Sequence, residues 1–416
     1  MFSSFRDLWG NSVVLLVSRI LSKLATMGVV IVTARSLGVE EFGLLNSILA
    51  VTVFAGIISD FGMVMPSIRS IASSGGLDGS IVLDSITFRM VTSTAAVVVN
   101  VSAGILFGLP VITVLILSVA SIFELTGTTF VRAFEGANDF RLVSRFTVIE
   151  RLLYGALSIG SVLIFGTVTA FAVGVLIAHS VFLTLTYRAF HQKFATAKSS
   201  ITGKGFGMYA AVGLPFLLTT VFSNIFYKSD TMFISQFTGN HNAGLYNAAM
   251  RLLDAQMMIP FTVMTTVFPR LSRLHFEQSK DYRAYFIRHM FLMASAGIFF
   301  CLATYVGAPY FIPLIYSGDF SASVMILQLL SLMLVFVFMN VLFSQTLVSI
   351  HKERVFTGVM LFNAVLSIGG KWFFVPEYGI TSAAVVRVAL EAFSCVVMGG
   401  FIFYYVFYRR EHLPLQ

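Results

Sequence analysis

Apolar residues run along this chain in twelve long blocks separated by short polar breaks. The first six are 11–34, 42–65, 86–107, 111–130, 146–165 and 167–187. The second six are 213–237, 243–269, 290–308, 322–350, 355–375 and 380–408. Most reach ~20 residues, enough for a helix rising 1.5 Å per residue to cross a hydrocarbon core. Lipid cannot satisfy backbone polar groups, so each block is read as a transmembrane helix. The expectation is an all-α polytopic protein with an N-terminal six-helix bundle at 1–190, a basic linker at 191–205 and a C-terminal six-helix bundle at 206–416.

The halves echo one another. The stretch from Leu37 through Gly38, Gly43, Leu44 and Asn46 aligns without a gap with Thr238 through Gly239, Gly244, Leu245 and Asn247. Each stretch is the turn between the first and second block of its half. Six crossings return the chain to the same side, so both halves enter with one orientation. Such repeats are related by a pseudo-two-fold axis along the membrane normal. Two bundles facing each other would leave a central cleft, as alternating access requires.

Composition fits this picture: 57% of residues are hydrophobic and 11% charged, against about 25% charged in soluble domains. The net charge of +8 does not point to nucleic acid, because the basic residues gather in the short breaks on one side. These include Arg132, Arg141, Arg145, Arg188, Lys193, Arg270, Arg273, Arg283, Lys352 and Arg354. The opposite breaks hold almost none, with only Arg35 near Glu40 and Glu41. The positive-inside rule then places both termini in the cytoplasm. Arg19 and Lys23 interrupt the first block, which does not read as a cleaved signal peptide. Cys301 and Cys395 both lie in apolar segments and offer no disulfide framework or metal spacing.

The chemistry is expected where charge enters these blocks, most densely between Pro215 and Asp254. Six basic residues are counted inside them: Arg19, Lys23, Lys228, Arg251, Lys371 and Arg387. Four acidic residues accompany them: Glu124, Asp230, Asp254 and Glu391. At ~2.5–3.5 kcal/mol each, ten lipid-facing charges would cost roughly 25–35 kcal/mol, more than a fold's net stability. They are therefore expected to face protein, water or ligand. Arg387 with Glu391, and Arg251 with Asp254, are spaced to pair on one helix face, and a functional role for them stays open. Lys371, near its block's end, is expected to snorkel to the interface. Arg19 and Lys23 lie one turn apart with like sign, roughly 10–17 Å into the first block, and call for an anion, a wet cavity or Glu124 as partner. Asp230 reads either as a proton or cation coupling site or as a static partner of Arg251. His179, His289 and His351 read as isolated.

This pattern predicts a cationic cleft. Arg19, Lys23, Lys228, Arg251 and Arg387 would meet an anionic substrate, and Glu124, Asp230, Asp254 and Glu391 would serve coupling or charge pairing. A lipid-linked sugar pyrophosphate suits it, because Arg grips phosphate oxygens bidentately and Lys acts as a point charge. No metal, cofactor or catalytic constellation is expected.

Several short motifs resemble those of the multidrug/oligosaccharidyl-lipid/polysaccharide (MOP) exporter superfamily, and within it the polysaccharide transporters of the O-antigen flippase type. Ala34-Arg35-Ser36-Leu37-Gly38, continuing to Phe42-Gly43, is similar to the family's first turn. Ser59-Asp60-Phe61-Gly62 resembles the end of its second helix, and Asp230 with Gly244-Leu245-Tyr246-Asn247-Ala248-Ala249-Met250-Arg251 resembles its central signature. Pro376-Glu377-Tyr378-Gly379 with Ser382-Ala383-Ala384 is similar to its last turn, with Ser382 where Gly is common. The resemblance implies a MATE-like twelve-helix fold in the inner membrane. It also implies translocation of an undecaprenyl-pyrophosphate-linked oligosaccharide toward the periplasm, with H+ or Na+ coupling left open. Membrane lipids and other polysaccharide-assembly proteins are the further partners it suggests. Three alternatives are weighed against it. A drug or cation exporter of the same superfamily would prefer an anionic cleft. A peptidoglycan-precursor flippase would bring two more C-terminal spans. A membrane polymerase or glycosyltransferase would carry a long catalytic loop.

Overall fold

The computed structural model describes residues 2–62, 80–194, 203–279 and 281–408, with side chains described from residue 25 onward apart from a few positions. Among these residues the secondary structure is all helical. The helices are α1 (Phe2–Asp60), α2 (Ser80–Leu106), α3 (Val111–Gly136), α4 (Phe140–Phe165) and α5 (Val168–Lys193). They continue as α6 (Gly203–Thr238), α7 (Asn240–Phe276), α8 (Asp281–Ile315), α9 (Ser323–Ser331), α10 (Met333–Ser349) and α11 (Glu353–Phe403). Seven helices among the described residues are long and apolar enough to cross a membrane, or eight if the bent α9–α10 pair forms one span. Large apolar side chains point outward along them, including Ile112, Ile164, Phe373 and Val396 at 70–74% exposure. Such faces are stable against lipid, and the chain is a multi-pass membrane protein.

Two compact units divide the chain, Met1–Val221 and Phe222–Gln416. In the first, α3 packs on α5, α4 on α5 and α1 on α4. Phe130, Phe134, Phe146, Phe182, Phe190 and Phe194 gather with Val82 and Ile86 in one core cluster. The turn before α4 is pinned by Asp139, whose side chain accepts from the Leu142 N–H at 3.3 Å and from Lys193 Nζ at 2.6 Å. The carboxyl of Asp139 thus acts as an N-cap. In the second unit α10 packs on α11, α8 and α7.

Backbone conformation accounts for the internal repeat. Gly38 breaks α1 at φ 74, ψ 178, and Gly239 separates α6 from α7 at φ 89, ψ 166. Both fall in a region that side-chain-bearing residues rarely enter. Eight positions further on, the paired asparagines do the same work. Asn46 Nδ2 donates to the Phe42 carbonyl at 2.7 Å, and Asn247 Nδ2 to the Ala243 carbonyl at 2.8 Å. A third break of this kind lies at Gly379, φ 64 and ψ −154, inside α11. There Ser382 Oγ donates to the Gly379 carbonyl at 2.7 Å, so serine is accommodated where the family motif often has glycine.

Three boundaries differ from the sequence expectation. The ninth block was expected to end at 308, but α8 runs on to Ile315 through Pro309 and Pro313. Pro309 has no N–H for the Tyr305 carbonyl, and Gln328 Nε2 donates to that oxygen instead at 3.2 Å. The tenth block is bent by 43° between α9 and α10. Helical structure in α11 also continues through most of the expected turn at 376–379, broken only at Gly379.

Gly38→Ala and Gly239→Ala should each cost about 1–3 kcal/mol, the strain of holding a Cβ in that backbone region. Gly56→Ala, a helical position where an added Cβ meets open space, should be neutral or stabilising by up to about 1 kcal/mol. Thermal unfolding of the purified variants checks both, and equal melting of all three would contradict the conformational account.

Candidate functional site

Four charged side chains meet in the second unit. Asp230 lies on α6, and Lys371, Arg387 and Glu391 lie on α11, on either side of its Gly379 break. All four are 0–3% exposed. Lys371 Nζ pairs with Asp230 Oδ1 and donates to Ser229 Oγ at 2.8 Å and to Ser367 Oγ. Arg387 Nη1 lies 3.8 Å from Asp230 Oδ2, and its Nη2 lies 3.3 Å from Glu391 Oε1. Arg387 Nη1 also donates to the Phe226 carbonyl at 2.9 Å. Its guanidinium sits over the Phe226 ring at 4.1 Å and the Tyr227 ring at 4.5 Å, so cation–π attraction adds to the ion pairs.

Neighbouring helices complete the network. Tyr246, in the Gly-Leu-Tyr-Asn signature of α7, donates from its hydroxyl to Asp230 Oδ2 at 2.7 Å. Next to it, Asn247 Oδ1 accepts from Thr231 Oγ1 at 3.0 Å. From α10, Asn340 Nδ2 donates to Glu391 Oε2 at 2.8 Å and to the Glu391 carbonyl at 2.9 Å. Two anions and two cations thus balance inside a helix bundle, with hydroxyls and one amide meeting part of their remaining sites, while Arg387 Nε is buried without a hydrogen-bond partner. A buried charge left alone would cost several kcal/mol, so the four stand or fall together.

Several sequence expectations need correction here. Lys371 does not snorkel: Ser367 and Lys371, one turn apart on α11, both turn inward toward α6, where Asp230 meets the ammonium. Arg387 does not line an open cleft, because it is fully buried and its charge is answered within its own unit. The expected spacing of Arg387 with Glu391 does produce an ion pair. Asp230 has Lys371 and Arg387 as ion-pair partners. Lys228 is half-buried and has no ion-pair partner among the described residues. Arg251 is half-buried and Asp254 exposed, one turn apart on α7. The side chains of Arg19 and Lys23 lie outside the described residues.

The count of ten also omits four charges inside the same blocks: Asp60, Arg89, Glu150 and Arg151. A complete reading of charges in blocks two, three and five would have found them. Arg89 on α2 is buried and pairs with Asp60 at the end of α1, with Thr129 Oγ1 and the Leu125 carbonyl of α3 as further acceptors. This contact gives the Ser-Asp-Phe-Gly motif its role, tying the end of α1 to α2. Glu124 lies 3.9 Å from Arg151 of α4, and Arg151 Nε lies 2.9 Å from Glu150 Oε2. His179 is not isolated: its Nε2 stands 3.7 Å from Glu150 Oε1.

The fold is similar to that of solved membrane transporters of the MOP superfamily. An inward-facing multidrug-resistance MATE transporter superposes with a TM-score of 0.71 at 14% identity, covering 96% of this chain and 98% of that one. The lipid II flippase MurJ, in an inward closed conformation, superposes with a TM-score of 0.71 at 15% identity over 95% and 87%. A MOP transporter from Pyrococcus furiosus, whose reversed pocket polarity suggests a different function, gives 0.60 at 13% identity over 94% and 93%. Residues 8–275, well over half of the chain, match the family model described as polysaccharide biosynthesis protein, and the chain belongs to that family. No curated protein sequence matches it.

Lys371→Met should destabilise the second unit by about 3–5 kcal/mol, because it removes the nearer of the two cations that face Asp230 and leaves the buried group short of positive charge. The Asp230→Asn/Lys371→Met double variant should recover much of that loss. Melting of the purified variants tests the coupling, and strictly additive losses would show that the pair does not act as one.

Proposed function

We propose that this protein is a flippase moving an undecaprenyl-pyrophosphate-linked oligosaccharide from the cytoplasmic to the periplasmic leaflet of the inner membrane. It works by alternating access, catalyses no covalent step and draws on an H+ or Na+ gradient. In this reading the chain crosses the membrane twelve times, six times in each half, with both termini cytoplasmic. The breaks at Gly38 and Gly379 support that count, because each divides one long helix into two. Membership of the polysaccharide biosynthesis family supports the substrate class.

One observation carries the substrate charge. Asp230 and Glu391 are committed to Lys371 and Arg387, whereas Lys228, two residues before Asp230, keeps an ammonium with no ion-pair partner among the described residues. Beside it Tyr227 is 42% exposed. A half-buried lone ammonium favours an anion and disfavours a cation, since like charges repel strongly at reduced dielectric. Pyrophosphate supplies the anion, and the polyprenyl tail travels in lipid. Arg251, Arg19 and Lys23 serve the same substrate charge in this proposal, and Asp254 tunes it. A cation exporter would have to place its substrate against that charge.

The test is complementation in cells lacking their own O-antigen flippase, with variants matched for membrane abundance. The wild type should restore surface polysaccharide, and Lys228→Ala should reduce it at least tenfold while remaining in the membrane at normal level. Wild-type failure across several polysaccharide hosts, together with lowered drug accumulation, would replace this reading with the drug exporter.

A further inference from the structure

The first unit holds a second buried polar cluster that flipping does not use. Glu124 comes from α3, Glu150 from α4 and His179 from α5, and their ligand atoms all lie within 4.8 Å of one another. Glu150 and His179 are each 4% exposed. His179 Nδ1 lies 3.0 Å from the Ala120 carbonyl. A carbonyl only accepts, so Nδ1 carries the proton, and in the neutral ring Nε2 presents a lone pair. That lone pair faces Glu150 Oε1 at 3.7 Å, and both atoms are buried without a hydrogen-bond partner. Two buried acceptors aimed at each other are unstable unless a cation lies between them.

The geometry points to a divalent transition-metal site of the Zn2+ class on Glu124, Glu150 and His179. Two ligands bound at ~2.0–2.2 Å to one tetrahedral ion stand about 3.3–3.6 Å apart. The His179–Glu150 separation is already close to that, and Glu124 needs to draw in by about 1 Å at most. An imidazole with carboxylates selects Zn2+ and its neighbours over Mg2+ or Ca2+, which prefer oxygen alone. The surroundings are those of a metal centre. The Ala120 carbonyl fixes the tautomer, and Arg151 Nε holds Glu150 Oε2 at 2.9 Å, leaving Oε1 turned inward. The Tyr154 ring stacks on His179 at 5.9 Å and shields it. Two carboxylates and one guanidinium leave one net negative charge for the ion to meet. A bound ion would tie α3, α4 and α5 together at one point. The site is independent of Lys228 and of the proposed substrate.

The experiment uses the full-length protein, purified in detergent with its affinity tag removed, stripped with chelator and equilibrated with Zn2+. Bound zinc is measured by mass spectrometry, and Co2+ is substituted to read a tetrahedral absorption spectrum. The wild type should retain one equivalent and melt at higher temperature with Zn2+ than without. Glu150→Gln and His179→Gln should each weaken binding at least tenfold and abolish the Co2+ spectrum. If either fails to fold, Glu124→Gln, at the more exposed corner, serves as the test and should weaken binding at least tenfold. Three results would overturn the site: no zinc retained by the wild type, undiminished zinc in the folded variants, or a melting temperature that follows pH but not Zn2+. The last would mean that a proton alone fills the space.

Discussion

The ion pair between Asp230 and Lys371 is the constraint on which the second unit rests. Neither group can face lipid, and neither can be buried alone, so α6 and the first arm of α11 must meet at those residues. Once they do, the rest follows by satisfaction of partners. Arg387, from the second arm of α11, takes the other oxygen of Asp230 and Glu391, one turn further on. Tyr246 brings α7 and Asn340 brings α10 to the same centre. Conversion of these polar residues to apolar ones could leave a bundle equally stable. What the charges add is register: these pairings hold only while α6, α7, α10 and α11 turn these residues toward one another.

The first unit solves the same problem with a different set. Asp60 and Arg89 tie α1 to α2, and Thr129 with the Leu125 carbonyl ties both to α3. Aromatic packing of Phe130, Phe134, Phe190 and Phe194 then fills the space nearby. Motifs that look degenerate as letters thus acquire definite physical roles. Asp60 and Tyr246 are polar anchors, Gly38 and Gly239 are breaks that only glycine accepts, and Asn46 and Asn247 close the first turns that follow.

Much of this was legible in the sequence. Block length predicted helices, and the Gly-Gly-Leu-Asn echo predicted two equivalent breaks that the backbone angles match. The spacing of Arg387 and Glu391 predicted their pair. The partner of Lys371 was not legible, because Asp230 lies far away in sequence. The inward face was legible, since Asn363, Ser367 and Lys371 recur one turn apart and all three are buried. His179 was missed for a related reason: its neighbours Glu124 and Glu150 belong to two other helices, and chain spacing carries no trace of the contact. The run of α8 through Pro309 leaves the Tyr305 carbonyl to be met by Gln328 of α9, which composition alone does not show.

Direct transport is the sharpest test of the account. The purified protein would be placed in sealed vesicles carrying a labelled undecaprenyl-pyrophosphate oligosaccharide, and the outer-leaflet fraction followed with an impermeant probe. Rapid leaflet equilibration by the wild type, slowed at least tenfold in folded Lys228→Ala, is the predicted result. Equilibration no faster than in empty vesicles, with movement of a cationic drug instead, would contradict it.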